Sequence, residues 1–254
     1  MSTTKLILMT GSDEKYINKI KPYLDSIDNN SNFDLNFLIY LSDSDIQLDN
    51  KINVLKLSPS KYMYRNSINC IQHGEFIKSE GFDDLIGDDD VIVFTDGDMI
   101  LQRNLSEDEL IKFRNLKHGD VFIGYNESPN DNLLKEYNRL LPTGYVPKIF
   151  KIDLTKIKCY NSGVIGATKS TFKKILDYYS KLYSEVDKML GYYSKQQWLI
   201  SYIIGTENFN VIEMGYEMHN HTHYKAAEGS EINNKIVTYN NQVVLFKHKW
   251  DFLK

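Results

Sequence analysis

The amino-acid sequence predicts an α/β protein built on an open, mostly parallel sheet with helices on its faces. Short runs of β-branched and aromatic residues alternate with segments of helical spacing through residue 101, and this alternation is typical of parallel sheets. The central run, Val91–Thr95, is almost entirely apolar, which indicates a strand buried on both faces. At 254 residues, the chain is long enough for one α/β domain with a substantial core.

The strands are predicted from short apolar runs that end at glycine, serine, asparagine or aspartate. The segment between residues 126 and 158 is polar and contains three of the five prolines, so it is predicted to be irregular and within reach of an acceptor. The predicted strands are residues 5–9, 35–41, 52–57, 91–95, 120–125, 159–167, 209–214 and 243–248.

The helices are predicted from apolar residues spaced three and four apart. In the first of them the apolar positions are 16, 17, 20, 24 and 27, which fall on one face of a helix. Ser106 precedes three acidic residues, the pattern of a capped helix start. The predicted helices are residues 14–27, 67–78 and 170–183, with further helix starts at 106 and near 194.

Two carboxylates follow the central strand directly, as Asp96-Gly97-Asp98. Carboxylates at the end of a buried strand are costly unless positive charge lies between them. A divalent cation supplies that charge, because hard cations take carboxylate oxygens, and Gly97 would let the backbone turn tightly around the ion. The alternative is a solvated turn after a core strand, as we expect for the acidic residues 83–90.

Composition excludes some functions and favours a reducing compartment. The net charge is −4 and no basic stripe is present, so nucleic-acid binding is disfavoured. The two cysteines, Cys70 and Cys159, form neither a disulfide framework nor a zinc motif. No signal peptide or membrane-length apolar run is found, so a cytoplasmic protein is expected, with peripheral membrane contact left open. The 18 tyrosines fill a core or stack on sugars or bases.

Several short motifs occur in a recognisable order. Residues 10–16 follow the first strand, Asp96-Gly97-Asp98 follows the central one, and Asn161-Ser162-Gly163, Gln196-Gln197-Trp198 and His248 come later. This order resembles the GT-A-fold glycosyltransferases, most closely the glycogenin- and galactosyltransferase-like family often called family 8. The resemblance implies one GT-A domain with a smaller antiparallel C-terminal part. Residues 1–101 would form the nucleotide-binding half and residues 102–254 the half that holds the acceptor and completes the metal site.

The resemblance also implies an activity and a set of site residues. The activity would be metal-dependent transfer, with retention, from a UDP-sugar to a glycan, lipid or protein acceptor. Mixed oxygen and imidazole ligation would suit Mn²⁺ better than Mg²⁺. The implied residues are Asp96, Asp98 and His248 for the metal; Thr10, Gly11, Asp13, Tyr16, Asp96 and Lys249 for the nucleotide; Arg65, Asn161, Ser162 and Gly163 for the donor sugar; and Asp98, Gln196 and Gln197 for catalysis.

Some features depart from the family pattern and leave alternatives open. Gln196 stands where the family often has aspartate, so no carboxylate is placed beside the anomeric carbon and an inverting reaction stays open. His219, His221 and His223 would share one face of a strand and offer a replacement for His248 or a zinc site. A haloacid-dehalogenase-like phosphatase, with an aspartate nucleophile, and a catalytically silent nucleotide- or glycan-binding GT-A domain are the alternative functions.

Overall fold

The computed structural model describes residues 4–48, 51–58, 85–125, 130–140, 152–190, 195–221, 229–233 and 236–248. Four predictions fall outside these residues: the helix at 67–78 and the side chains Arg65, His223 and Lys249. At residues 137–140, 183–190, 195–196, 221 and 233 only the backbone is described, and this excludes the side chains of Gln196 and His221.

The described residues form thirteen strands, most of them where the sequence predicted strands. The first is longer than predicted, because it continues through Asp13. The strands are β1 (Leu6–Asp13), β2 (Leu35–Leu41), β3 (Asn53–Leu57), β4 (Val91–Thr95), β5 (Met99–Leu101), β6 (Asp120–Tyr125), β7 (Tyr160–Thr168), β8 (Asn210–Met214), β9 (His219–His221), β10 (Ser230–Asn233), β11 (Ile236–Tyr239), β12 (Gln242–Val243) and β13 (Phe246–His248).

Seven strands form the main sheet in the order β3-β2-β1-β4-β7-β6-β8. All neighbours are parallel except β7, which is antiparallel to both β4 and β6. The carboxyl ends of β1, β4, β6 and β8 therefore lie at one edge of the sheet, together with the first residues of β7. The predicted mostly parallel sheet is confirmed.

Two smaller three-stranded sheets have the orders β10-β11-β12 and β5-β13-β9. The prediction of one strand over residues 243–248 is wrong, because β12 and β13 belong to different sheets. Between them, the Val244 N–H donates to the Val237 carbonyl oxygen, and the Leu245 N–H donates to the Glu217 carbonyl oxygen. The chain thus crosses from one small sheet to the other.

The helices pack on both faces of the main sheet. Ser106 caps the second one in a capping box with Glu109, as predicted, whereas the helix at Leu133–Leu140 lies in the segment predicted to be irregular. Within the described part of the chain, no helix combines the length and apolar character needed to cross a lipid bilayer. The helices are α1 (Ile17–Asn30), α2 (Glu107–Arg114), α3 (Leu133–Leu140), α4 (Lys169–Leu190) and α5 (Lys195–Thr206).

The core has two parts, one on each face of the main sheet. Ile7 and Phe94 belong to the cluster beneath α4 and α5, whereas Leu6 and Val93 belong to the cluster beneath α1. Successive strand residues point to opposite faces, and the residues of β1 from Leu6 to Ser12 and all of β4 are buried. A sheet covered on both faces leaves its edges as the places where polar side chains can gather.

Candidate active site

Asp96 and Asp98 lie at the edge of the main sheet where β4 ends. The Asp96 N–H donates to the Gly163 carbonyl oxygen over 2.9 Å, which joins the acid pair to β7. Just before it, the Thr95 hydroxyl lies 2.6 Å from the hydroxyl of the buried Tyr23. The carboxylates thus follow directly after Thr95, the last residue of β4, whose side chain is hydrogen-bonded to α1.

Gly97 is required for packing rather than for an unusual backbone conformation. A Cβ at this position would lie 2.9 Å from Cγ2 of Ile20 and 3.3 Å from the Gly11 carbonyl oxygen. Gly97 is absent from the glycines with positive φ, which are Gly119 and Gly229 among the described residues. The turn between the two aspartates therefore presses against α1 and the end of β1, which corrects the expectation that glycine is needed to turn around an ion.

His248 closes the group from the far end of the chain. Strand β13 is antiparallel to β5, with His248 opposite Met99. This pairing places Nε2 of His248 3.1 Å from Oδ1 of Asp98. One ligand atom from each of Asp96, Asp98 and His248 lies within 4.8 Å of the others. Among the described residues, this is the group of three or more histidine, cysteine and acidic side chains that could hold a metal ion.

The histidines at this site differ in their electrostatics. Burial acts to lower the pKa of His248, but the charge and hydrogen bond of Asp98, together with the charge of Asp96, outweigh it and raise the pKa. Burial, and then the charge of His248, lower the pKa of His219 to about 3. The two rings stack with their centroids 5.8 Å apart. His248 is thus the imidazole that faces the carboxylates, while His219 packs behind it as a neutral ring.

Asn161, Ser162 and Gly163 lie inside β7 rather than in a turn before it. The Asn161 amide is engaged within the protein: Oδ1 accepts from the Gly163 N–H over 2.7 Å, and Nδ2 donates to Oε1 of Gln197 over 3.2 Å. Asn161 and Ser162 are buried. This motif therefore links Gln197 of α5 to the acid pair, and its place beside a donor sugar stays a prediction.

Gly163 allows close packing against the metal-site candidates. A Cβ here would lie 2.6 Å from Cε of Met99 and 3.3 Å from Cε1 of His248. A Cβ here would also lie 2.7 Å from Oδ1 of Asn161, so any larger residue would force the side chains around it to shift.

The residues predicted to bind the nucleotide lie at the end of β1, beside β4. Thr10 is fully buried within the strand, and its hydroxyl donates to the Thr95 carbonyl oxygen over 3.1 Å; its contact with a nucleotide stays a prediction. Gly11 is also a strand residue. Asp13 is half-buried, and its Oδ1 accepts the Tyr16 N–H over 2.9 Å. Helix α1 begins at Ile17 rather than at residue 14 as predicted.

Comparison with known proteins identifies the fold. The chain is similar to the galactosyltransferase LgtC, whose crystal structure was solved in complex with donor and acceptor sugar analogs. The TM-score is 0.57 and the identity 14%, over 96% of this chain and 87% of that one. The chain has the GT-A fold. No sequence family profile matches it, and no curated protein sequence does.

In this GT-A domain, two residues that the sequence analysis missed tie the C-terminal strands to the strand after the acid pair. Nε2 of Gln102 donates to the carbonyl oxygens of Val237 and Val244, over 3.1 and 2.9 Å. Nε of Arg103 donates to the Val243 carbonyl oxygen over 2.6 Å. Nothing in the local sequence marks these contacts, because the partners are at least 135 residues away.

The donor set of the candidate metal group suits a divalent cation. It combines two carboxylates with one imidazole, and the carboxylates are half-buried while the imidazole is buried. Carboxylate oxygens with a histidine nitrogen fit Mn²⁺ and related ions. The residues present therefore fit a bound metal ion held by Asp96, Asp98 and His248.

Proposed function

We propose that this protein is a metal-dependent glycosyltransferase that moves a sugar from a nucleotide-sugar, with UDP the expected nucleotide, to a glycan, lipid or protein acceptor. The observation that carries the proposal is the approach of Asp96, Asp98 and His248 within 4.8 Å at the end of β4. The GT-A fold supports it. When bound, the divalent cation supplies charge neutralisation for the diphosphate leaving group.

The position of β1 supports a nucleotide site beside this group. In open α/β sheets, ligands bind outside the carboxyl ends of strands where the strand order reverses. Strand β1 lies between β2 and β4, so the order reverses beside the acid pair. Two lysines add positive charge there, with Nζ of Lys15 and of Lys19 5.3 and 5.0 Å from the centre of the Tyr16 ring. Asp13 and Tyr16 are the proposed contacts to the nucleoside.

The positions of the residues at the start of β7 support their proposed role beside the donor sugar. Asn161, Ser162, Gly163 and Gln197 lie on the other side of Asp96 from β1, where a sugar attached to the diphosphate would extend.

Retention of the anomeric configuration is part of the proposal, and the coupling constant of the product's anomeric proton would decide it. The phosphatase hypothesis is less well supported, because the fold matches that of a galactosyltransferase and His248 joins both aspartates in one possible metal-ligand set.

The test is binding of UDP with Mn²⁺, with Mg²⁺ and with EDTA, followed by calorimetry and by thermal unfolding. At a ligand concentration of 100 times Kd, the stabilisation is about 2.7 kcal/mol. We expect this stabilisation to require the metal ion and to be lost in Asp98→Asn. Asp89→Asn is the matched control, because it removes the same charge from an exposed turn at the opposite end of β4.

Turnover separates the enzyme from a silent binding domain. With UDP-sugars and Mn²⁺, the wild-type protein should release UDP in a reaction that Asp98→Asn abolishes. UDP binding that is unaffected by EDTA and by Asp98→Asn would contradict the metal role. Metal-dependent binding without release of UDP from any UDP-sugar would instead indicate a silent domain.

A further inference from the structure

A row of tyrosines begins at the edge of the sheet where the candidate active site lies. Tyr125 ends β6, Tyr216 follows β8, and Tyr239 ends β11. The Tyr125 and Tyr216 ring centres are 6.5 Å apart, and those of Tyr216 and Tyr239 are 5.5 Å apart. All three rings are half-buried, and neighbours are tilted by 51° and 56°. The three side chains are thus partly exposed instead of filling the core.

One end of the row lies at the carboxyl end of β6, at the same edge of the sheet as the acid pair. Tyr125 follows Gly124, where a Cβ would lie 3.3 Å from Nδ1 of His219. The His219 ring in turn stacks on His248. In the sheet, β6 is separated from β4 by β7 alone, and neighbouring strands are about 4.8 Å apart. Tyr125 therefore lies on the side of the acid pair opposite β1, with β7 between its strand and β4.

The other end of the row opens into a cavity of about 820 Å³ beside the start of α2. Tyr239 lines this cavity, together with polar side chains that include Asn104, Asn240 and Gln242. Carboxamide groups both donate and accept hydrogen bonds, so they match the hydroxyl groups of a sugar.

An ion pair holds the ring nearest the acid pair. The Tyr125 hydroxyl donates to the Glu213 carboxylate, which also accepts from Nζ of Lys158. Nζ of Lys158 lies 5.5 Å from the centre of the Tyr125 ring. These contacts fix the ring orientation before any ligand arrives, which lowers the entropic cost of binding.

We propose that Tyr125, Tyr216 and Tyr239 form an acceptor subsite for a carbohydrate chain, which runs from the catalytic edge to the cavity beside α2. The inference rests on the proposed function and narrows its acceptor to a substrate with several sugar units. Tyrosine presents an apolar ring face and a polar hydroxyl, which suit the C–H faces and the hydroxyl groups of pyranose rings. The carboxamides of the cavity bind the more distant units.

The test measures affinity against chain length. The probes are gluco-, galacto- and N-acetylglucosamine oligosaccharides of one to four units, added with UDP and Mg²⁺ and followed by calorimetry and saturation-transfer NMR. We expect at least one series to gain affinity with length in the wild-type protein. Tyr216→Ala and Tyr239→Ala should each lower the affinity of its tetramer about tenfold while leaving the monomer unchanged.

Conservative variants and a remote tyrosine control for damage to the fold. Tyr216→Phe and Tyr239→Phe retain the ring and should retain most of the gain with length. Tyr178→Ala removes an aromatic contact with Phe209, away from the row, and should bind as the wild type does. The inference is overturned if no series gains affinity with length, or if the alanine variants bind the tetramer as tightly as the wild type. UDP binding in the same samples reports separately on the proposed function.

Discussion

Arg103→Met removes an ion pair with Glu109 and a hydrogen bond from Nε of Arg103 to the Val243 carbonyl oxygen in the C-terminal part of the chain. Arg103 donates to both carboxylate oxygens of Glu109 over 2.7 Å, and the side chains are 26% and 8% exposed. Removing one partner of a fully buried pair costs about 3–5 kcal/mol. Because the guanidinium is partly exposed, we expect Arg103→Met to lower the free energy of unfolding by less than this, about 2–3 kcal/mol.

Urea unfolding of a double-mutant cycle measures the coupling itself. The cycle combines Arg103→Met with Glu109→Gln, which removes the charge but keeps an oxygen to accept the Ser106 N–H in the capping box. We expect a coupling free energy of about 1–2 kcal/mol. A coupling within experimental error would refute the view that the Arg103–Glu109 pair stabilises the fold.

The pH dependence of unfolding in the same variants tests the direction of the Glu109 pKa shift. Burial acts to raise the pKa of Glu109, but the hydrogen bonds and charge of Arg103 and the Ser106 N–H outweigh it, so the pKa lies below the unfolded value of 4.5. The stability contributed by the Glu109 charge is therefore fully present above pH 4.5 and is lost as the pH falls through the lower folded value. The difference in unfolding free energy between wild type and Glu109→Gln should shrink over that acidic range. A difference that grows there would contradict the assignment.

Two further predictions concern the acid pair. Gly163→Ala should cost about 1–3 kcal/mol of stability through overpacking and weaken Mn²⁺ binding, measured by electron paramagnetic resonance, because the new methyl group would crowd Met99 and His248. Tyr23→Phe should cost about 1 kcal/mol in urea unfolding, because it removes the hydrogen bond with the Thr95 hydroxyl, while Mn²⁺ binding changes little.

Each of these variants has a control. Gly87→Ala adds a methyl group where the nearest atom is 3.5 Å away and should leave both stability and Mn²⁺ binding close to those of the wild type. Mn²⁺ affinity that is unchanged in Gly163→Ala would mean that His248 is not held by this packing. A Tyr23→Phe protein as stable as the wild type would show that the hydroxyl pair contributes no net stability.

Much of the fold could be predicted from local sequence. The runs of β1, β2 and β4 are apolar because both faces of the sheet are covered, and that pattern is visible without a structure. The start of α2 was also predictable, because the capping box joins Ser106 to a residue only three positions away. By contrast, α3 lies in a segment that is polar overall, and local composition favoured a loop there.

The sequence by itself determined the α/β class and the acid pair at the end of a buried strand, because each depends on neighbouring residues, whereas His248 was a candidate only through the family resemblance. Only the tertiary structure decided that His248 rather than His219 faces Asp98, since that choice depends on the pairing of β13 with β5 and β9. It also decided that Thr10 is buried and that Tyr125, Tyr216 and Tyr239 form a row. These contacts join strands far apart in the chain, and their geometry is set by sheet order and packing rather than by any local pattern.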